Sequence, residues 1–189
     1  MRALPLMFLL ALAACKDDVQ QQIVDPVALT PEATGHFCQM NLLEHEGPKA
    51  QVHLEGLPGA PLFFSQVRDA VAYMRLPEQT HRILAVWVND MGAPGADWAD
   101  PGAENWIALD SAQFVIGSRR DGGMGAPEIV PFADTAAAQA FMAANGGTLV
   151  ALDDIPDSAV IAPVQIGDDT EDDADFDRRL QSLSNRNEG

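Results

Sequence analysis

AQVHLEGLPGAPLFFSQVRDAVAYMRL, residues 50–76, carries the first clear change of hydrophobic period in the chain. In its opening AQVHLEG (50–56), Val52 and Leu54 alternate with Gln51 and His53, the pattern of a half-buried strand. APLFFS (60–65) is a second apolar run, and the Gly-Leu-Pro-Gly stretch between the two predicts a hairpin. From residue 66 the period lengthens. Val67, Val71 and Met74 fall at helical spacing in QVRDAVAYMRL (66–76), and Pro77 stops the helix. RILAVWVND (82–90) then returns to β-forming residues. The order is strand, strand, helix, strand.

That order recurs. NWIALDSAQFVIGS (105–118) holds one or two strands and PEIVPFAD (127–134) another. TAAAQAFMAANGG (135–147) is a helix from an Asp134 N-cap to Gly146, and TLVALDDI (148–155) closes the unit. Two tandem ββαβ-type units, 36–91 and 92–155, predict an α+β fold with small, mostly antiparallel sheets and one helix in each unit.

Outside this body the composition changes. Arg2 and the apolar LPLMFLLALAA (4–14) read as a signal peptide over residues 1–14, too short for a stable membrane span. It ends in LAAC (12–15), which resembles a bacterial lipobox with Cys15 as the lipidated residue; an ordinary signal peptide leaving Cys15 as a plain thiol is the other reading. Residues 15–35 then form a polar tether on the periplasmic side of a membrane. Lys16, rather than aspartate, after Cys15 leans to the outer membrane by the usual sorting pattern. Residues 156–189 make an acidic tail, expected to be disordered because it offers little to bury. The formal net charge of −17 is wrong for nucleic acid, which demands a basic footprint.

With Cys15 lipidated, Cys38 is left as an odd thiol in HFCQMN (36–41). If this segment is a strand, His36, Cys38 and Met40 project from one face. Thiolate, thioether and imidazole together suit a soft metal, copper(I) above all. The bland alternatives are a buried inert thiol and a core methionine. Met124 sits in DGGMGAP (121–127), where glycines turn the backbone sharply and leave the side chain exposed, able to close over a metal as a third ligand. Met91 in NDMGAPG (89–95) is a weaker candidate, as is His36. His45 and His53 read as solvated, Met74 and Met142 as core, and Trp87, Trp98 and Trp106 as packing residues. No Gly-x-Ser-x-Gly, His-Glu-x-x-His or phosphate-binding glycine loop occurs, so no enzyme is expected.

In this order FCQM (37–40), AQVHLEG, LFFSQVRDAVAYM (62–74), SAQFVIGSRRDGGMGAPEIVPFAD (111–134) and AAQAFMAANGGTLVALDDI (137–155) resemble the NosL family, lipoprotein copper chaperones for nitrous oxide reductase assembly. Gln39 stands where the family usually has glycine, and Gly123 where it usually has proline. The resemblance implies a copper(I) carrier that supplies the copper centres of nitrous oxide reductase with an associated membrane transporter complex. A lipid-anchored scaffold that binds a protein partner without carrying metal is the alternative.

Overall fold

The computed structural model describes residue 22 and residues 24–161. The signal peptide, Cys15 and the acidic run beyond residue 161 lie outside the described residues. Seven strands and two main helices follow the expected order: β1 (Ala50–Leu54), β2 (Leu62–Phe64), α1 (Val67–Arg75), β3 (Ile83–Val88), β4 (Ile107–Ala108), β5 (Gln113–Ile116), β6 (Val130–Phe132), α2 (Thr135–Asn145) and β7 (Thr148–Val150). They form one sheet in the order β2-β1-β3-β4 and a second in the order β6-β5-β7, with every pairing antiparallel. β4 lies in the second half of the chain yet completes the first sheet, through Trp87 opposite Ala108 and Val88 opposite Ile107.

The two halves also share a core. Val52, Leu54, Phe64, Val67 and Val71 pack with Leu109, Phe114, Ile129, Ile155 and Val160. Each large apolar side chain so buried contributes about 1.5–3 kcal/mol relative to exposure. β5, the central strand of the second sheet, serves both cores by strand alternation. Phe114 points into this core, and the next residue, Val115, into a smaller one with Val130, Phe132 and Ala138. α2 has the predicted ends: the Asp134 side chain accepts from Ala137 N (3.0 Å), and Gly146 closes it at φ +74°.

Two expectations fail at the ends of the body. The segment read as a polar tether is a strap over the outer face of the first sheet. Trp87 Nε1 donates to Val24 O (2.8 Å), Gln51 exchanges hydrogen bonds with Val27 N and O (2.8 and 3.0 Å), and Leu29 N donates to Ala103 O (2.9 Å). Under this strap β1 is buried on both faces, so His53 is fully buried rather than solvated, its Nε2 3.0 Å from Gln51 Oε1. The residues assigned to the start of a disordered tail instead form a short helix, α3 (Asp157–Val160). Val160 is buried, its carbonyl accepting from Arg68 Nη2 (2.8 Å).

Candidate metal centre

HFCQMN is not a strand but the tip of a tight loop. Thr34 bridges Asn41, Gly35 N donates to Met40 O (2.9 Å), and Gln39 N donates back to Gly35 O (2.8 Å). Chain reversal in so few residues needs a left-handed position, and Gln39 takes it at φ +56°. Glycine favours that region, where other residues are strained by roughly 1–2 kcal/mol. The Gln39 side chain offsets part of this by donating to His36 O (2.6 Å).

His36, Cys38 and Met40 thus do not share a strand face. The His36 ring leans on Phe64 and Tyr73 (centroids 5.7 and 5.5 Å), and Phe37 packs edge-on to Phe64 (5.2 Å). This aromatic group holds the loop to the β2 edge, where His36 N donates to Phe63 O (2.6 Å). Cys38 is a free, half-buried thiol whose Sγ lies 2.4 Å from where a Cβ on Gly35 would stand. Only glycine leaves that sulfur its place. Gly35→Ala is expected to displace the thiol and weaken copper(I) binding about tenfold, roughly 1.4 kcal/mol, as read by competition against a copper(I) chelator.

Met40 (41% exposed) and Met124 (37% exposed) present their thioethers at the surface. After Met40 the chain makes a single 3₁₀ turn, Leu42–Glu44, capped by Asn41, and reaches His45. There the second loop docks. His45 Nδ1 lies 3.0 Å from Gly123 O, and a Cβ on Gly123 would stand 2.5 Å from His45 Cβ. Glycine at 123 permits this close approach, and His45 is half-buried by it rather than solvated. The turn holding Met124 is closed by Gly122 N to Ala126 O and Gly125 N to Gly122 O, each 2.8 Å.

Beneath that turn lies a buried polar platform that the sequence reading missed. A Cβ on Gly122 would collide with Gln66 Nε2 (2.1 Å) and Glu128 Oε2 (2.4 Å). Gln66 Nε2 donates to Ala126 O (3.2 Å). Glu128 Oε1 accepts from Ile129 N (2.8 Å) and from Arg68 N (3.1 Å), supplying to α1 the cap that its own N-cap residue, Gln66, does not make. Burial pushes the Glu128 carboxyl up to about 8, against the opposing pull of these two N–H groups. The available signal was a lone carboxylate next to the apolar run IVPF.

Met91 stands apart from this arrangement. Its side chain packs into the second core beside Trp98, Phe141 and Met142, and its N–H donates to Pro131 O (3.0 Å). Trp98 packs as expected, stacked on Phe141 (6.2 Å) with Arg120 over its ring (5.1 Å). Among the described residues no three His, Cys, Asp or Glu side chains gather as a metal cluster. The donors on offer are one thiol and two thioethers, a set whose softness suits copper(I).

Comparison with known proteins gives the family and the fold. The NosL family model matches residues 26–160. The copper-binding lipoprotein NosL of Achromobacter cycloclastes is 60% identical over 91% of this chain and 89% of its own length. Its counterpart in Stutzerimonas stutzeri is 29% identical over 74% of this chain and 70% of its own. The crystal structure of the copper chaperone NosL from Shewanella denitrificans superposes with a TM-score of 0.64 at 30% identity, covering 70% of this chain and 96% of that one. With the family model matched over residues 26–160 and a relative 60% identical over nearly the whole chain, this chain belongs to the NosL family.

Proposed function

We propose that this protein is a lipid-anchored copper(I) chaperone that holds its cargo between Cys38, Met40 and Met124. The cargo goes to the copper centres of nitrous oxide reductase during maturation, in concert with a membrane transporter complex. The observation that carries the reading is the docking of the Met124 turn on His45, five residues beyond Met40. A thiolate supplies charge neutralisation and a strong bond, and exposed thioethers complete a low-coordinate site. Such a site releases its ion by ligand exchange, each donor being replaced in turn by one from the acceptor. A carrier needs that openness, and it needs no catalytic group; we place the protein among carriers rather than enzymes.

The anchor is Cys15, lipidated after cleavage of the signal peptide, with the body on the periplasmic side of the membrane and the outer membrane favoured by Lys16. Two measurements test the proposal. Protein purified anaerobically from membranes is expected to carry one copper(I) per chain; a metal-free preparation that accepts no copper(I) favours the scaffold alternative. Mass spectrometry is expected to find acyl chains on an N-terminal Cys15, and an unmodified N-terminus downstream of it would sink the anchor.

A further inference from the structure

We infer that a partner protein docks on this chain through a basic segment with an apolar centre, seated in a cleft between the 3₁₀ turn after Met40 and the loop 99–103. That this partner is the one exchanging copper rests on the carrier reading above; the docking face does not. The cleft has a volume of about 290 Å³ and is lined by Leu29, Leu42 and Leu43 and, across from them in sequence, by Asp100, Pro101 and Ala103. It is below the roughly 300–1,000 Å³ of small-molecule pockets, and suits one or two side chains instead. Its walls are tied by backbone hydrogen bonds. Leu29 N donates to Ala103 O (2.9 Å), Leu42 N to Ala33 O (2.9 Å) and Gly47 N to Trp98 O (2.6 Å). A cleft already fixed in this way costs little ordering when a partner binds.

The cleft opens beside the copper site. Leu43, 52% exposed, stands between Met40 and His45, and His45 is the residue on which the Met124 turn docks. A segment seated against Leu43 therefore brings the partner's own ligands close to both methionines.

Charge decides what the occupant is. Glu32, Glu44 and Glu46 on one segment and Asp97, Asp100 and Glu104 on the other are all exposed. Residues 24–48 and 89–110 contain no lysine or arginine. Lys49 lines the cleft but is buried, its Nζ donating to Glu46 O and Gly47 O, and Arg120 borders the face over the Trp98 ring. Carboxylates around an apolar cleft favour a long basic side chain, its aliphatic stem on the leucines and its charged head at Asp100. A second copy of the chain would set these carboxylates against their own counterparts. The stretch 168–177 of this chain carries seven carboxylates and no cation, and is repelled likewise. The occupant is therefore a separate, basic protein surface.

The probe is a short synthetic peptide with arginines on both sides of a central Leu-Leu pair, titrated into isotope-labelled full-length mature protein in detergent. Amide shifts are expected to centre on residues 42–46 and 97–104. Combined Glu44→Gln, Asp97→Asn, Asp100→Asn and Glu104→Gln is expected to weaken binding about tenfold and to flatten its salt dependence. The new amides keep oxygens for Asp100 N and Gly102 N, so the loop holds its shape. The same number of neutralisations elsewhere, Glu55→Gln, Glu78→Gln, Asp153→Asn and Asp154→Asn, should change affinity less than about twofold. Leu43→Ser should weaken binding severalfold while the salt dependence stays. Shifts centred on residues 168–177, or equal losses in the two neutralised variants, would reduce the attraction to net charge and overturn the docking face. Shifts at the cleft amides on dilution, or on deletion of residues 166–189, without peptide would assign the cleft to a second copy or to the tail, and overturn it too. Peptide binding here by a protein that takes up no copper(I) would sink the carrier reading and leave the docking face standing.

Discussion

Cys38→Ser is expected to abolish tight copper(I) binding, lowering affinity by several orders of magnitude while the protein stays folded. Serine keeps the size of the side chain but offers a neutral, hard oxygen, so the anionic sulfur–copper bond is lost outright. The fold tolerates the change because Cys38 is half-buried at a loop tip and lies outside the apolar core. Met40→Leu and Met124→Leu should act in the same direction but less strongly. Volume-conserving swaps of this kind usually cost less than about 1.5 kcal/mol of stability even in a core, and both residues are exposed. A loss of affinity in either variant therefore reports the missing thioether. Competition titration against a copper(I) chelator, with circular dichroism as the folding control, measures all three. Parental affinity in Cys38→Ser would place the copper site elsewhere.

An open site of this kind divides labour between two loops. The Cys38 loop is held rigidly, with its sulfur wedged beside Gly35 and its aromatic neighbours clamped on Phe64 and Tyr73. The Met124 side chain comes from a turn of three glycines and one methionine, placed from below by Gln66 and Glu128. In a carrier the thiolate would be the persistent bond and the methionines the exchangeable ones. Phe37, Met40, Leu43 and Met124 are four of the large apolar residues left exposed, and all lie on these loops or the 3₁₀ turn between them. The rim is therefore apolar, while Glu44 and Glu46 beside it are acidic and suited to a basic acceptor surface.

Much of the fold was legible because local signals and tertiary structure agree. The change of period at residue 66, the Gly-Leu-Pro-Gly turn and the Asp134 and Gly146 caps each predict an element that forms. The copper loop misled for a physical reason. His-x-Cys-x-Met alternates like a strand, but its conformation is decided by a hydrogen bond from Gln39 N to Gly35 O and a bridge to Phe63, and neither has a sequence period. His53 misled because alternation in β1 indicates one wet face, and the strap that covers it lies more than twenty residues upstream. Met91 has the composition of a turn residue, yet the second core claims its side chain. Cys38 and Met124 could be picked out as candidate ligands by chemistry alone. The packing that relates their loops, Gly123 against His45, could not.

The buried platform under the methionine turn has its own signature, a minimum of stability near pH 8. Glu128 and Lys49 are both buried, and each is shifted toward its neutral form, chiefly by desolvation. The carboxyl rises from 4.5 to about 8, so between those values the folded protein keeps a proton that the unfolded chain has released. Its contribution to stability is full below about pH 4.5 and is lost as pH rises to 8, at up to about 1.4 kcal/mol per unit. Lys49, whose Nζ donates to Glu46 O (3.1 Å) and to Gly47 O, falls from 10.5 to about 8. Folding there costs the lysine its proton above pH 8, and the stability so lost returns as pH rises toward 10.5. The two limbs meet near pH 8. Glu128→Gln keeps an amide oxygen for the N–H groups of Arg68 and Ile129 but cannot ionise, so it should flatten the descending limb; the Glu128 charge also holds the Lys49 ammonium up, so without it the ascending limb should begin at lower pH. Lys49→Met should remove the ascending limb and, with the cation that pulls the Glu128 carboxyl down gone, extend the descending limb to higher pH. Urea unfolding of the parent and both variants from pH 5 to 10 separates the limbs. At pH 8 Glu128→Gln is expected to exceed the parent in stability by about 2 kcal/mol or more, a figure set below the full shift to allow for relaxation around the buried charge. A parent curve that rises steadily from pH 5 to 8, unchanged by Glu128→Gln, would mean that the carboxylate beneath the Met124 turn is ionised throughout.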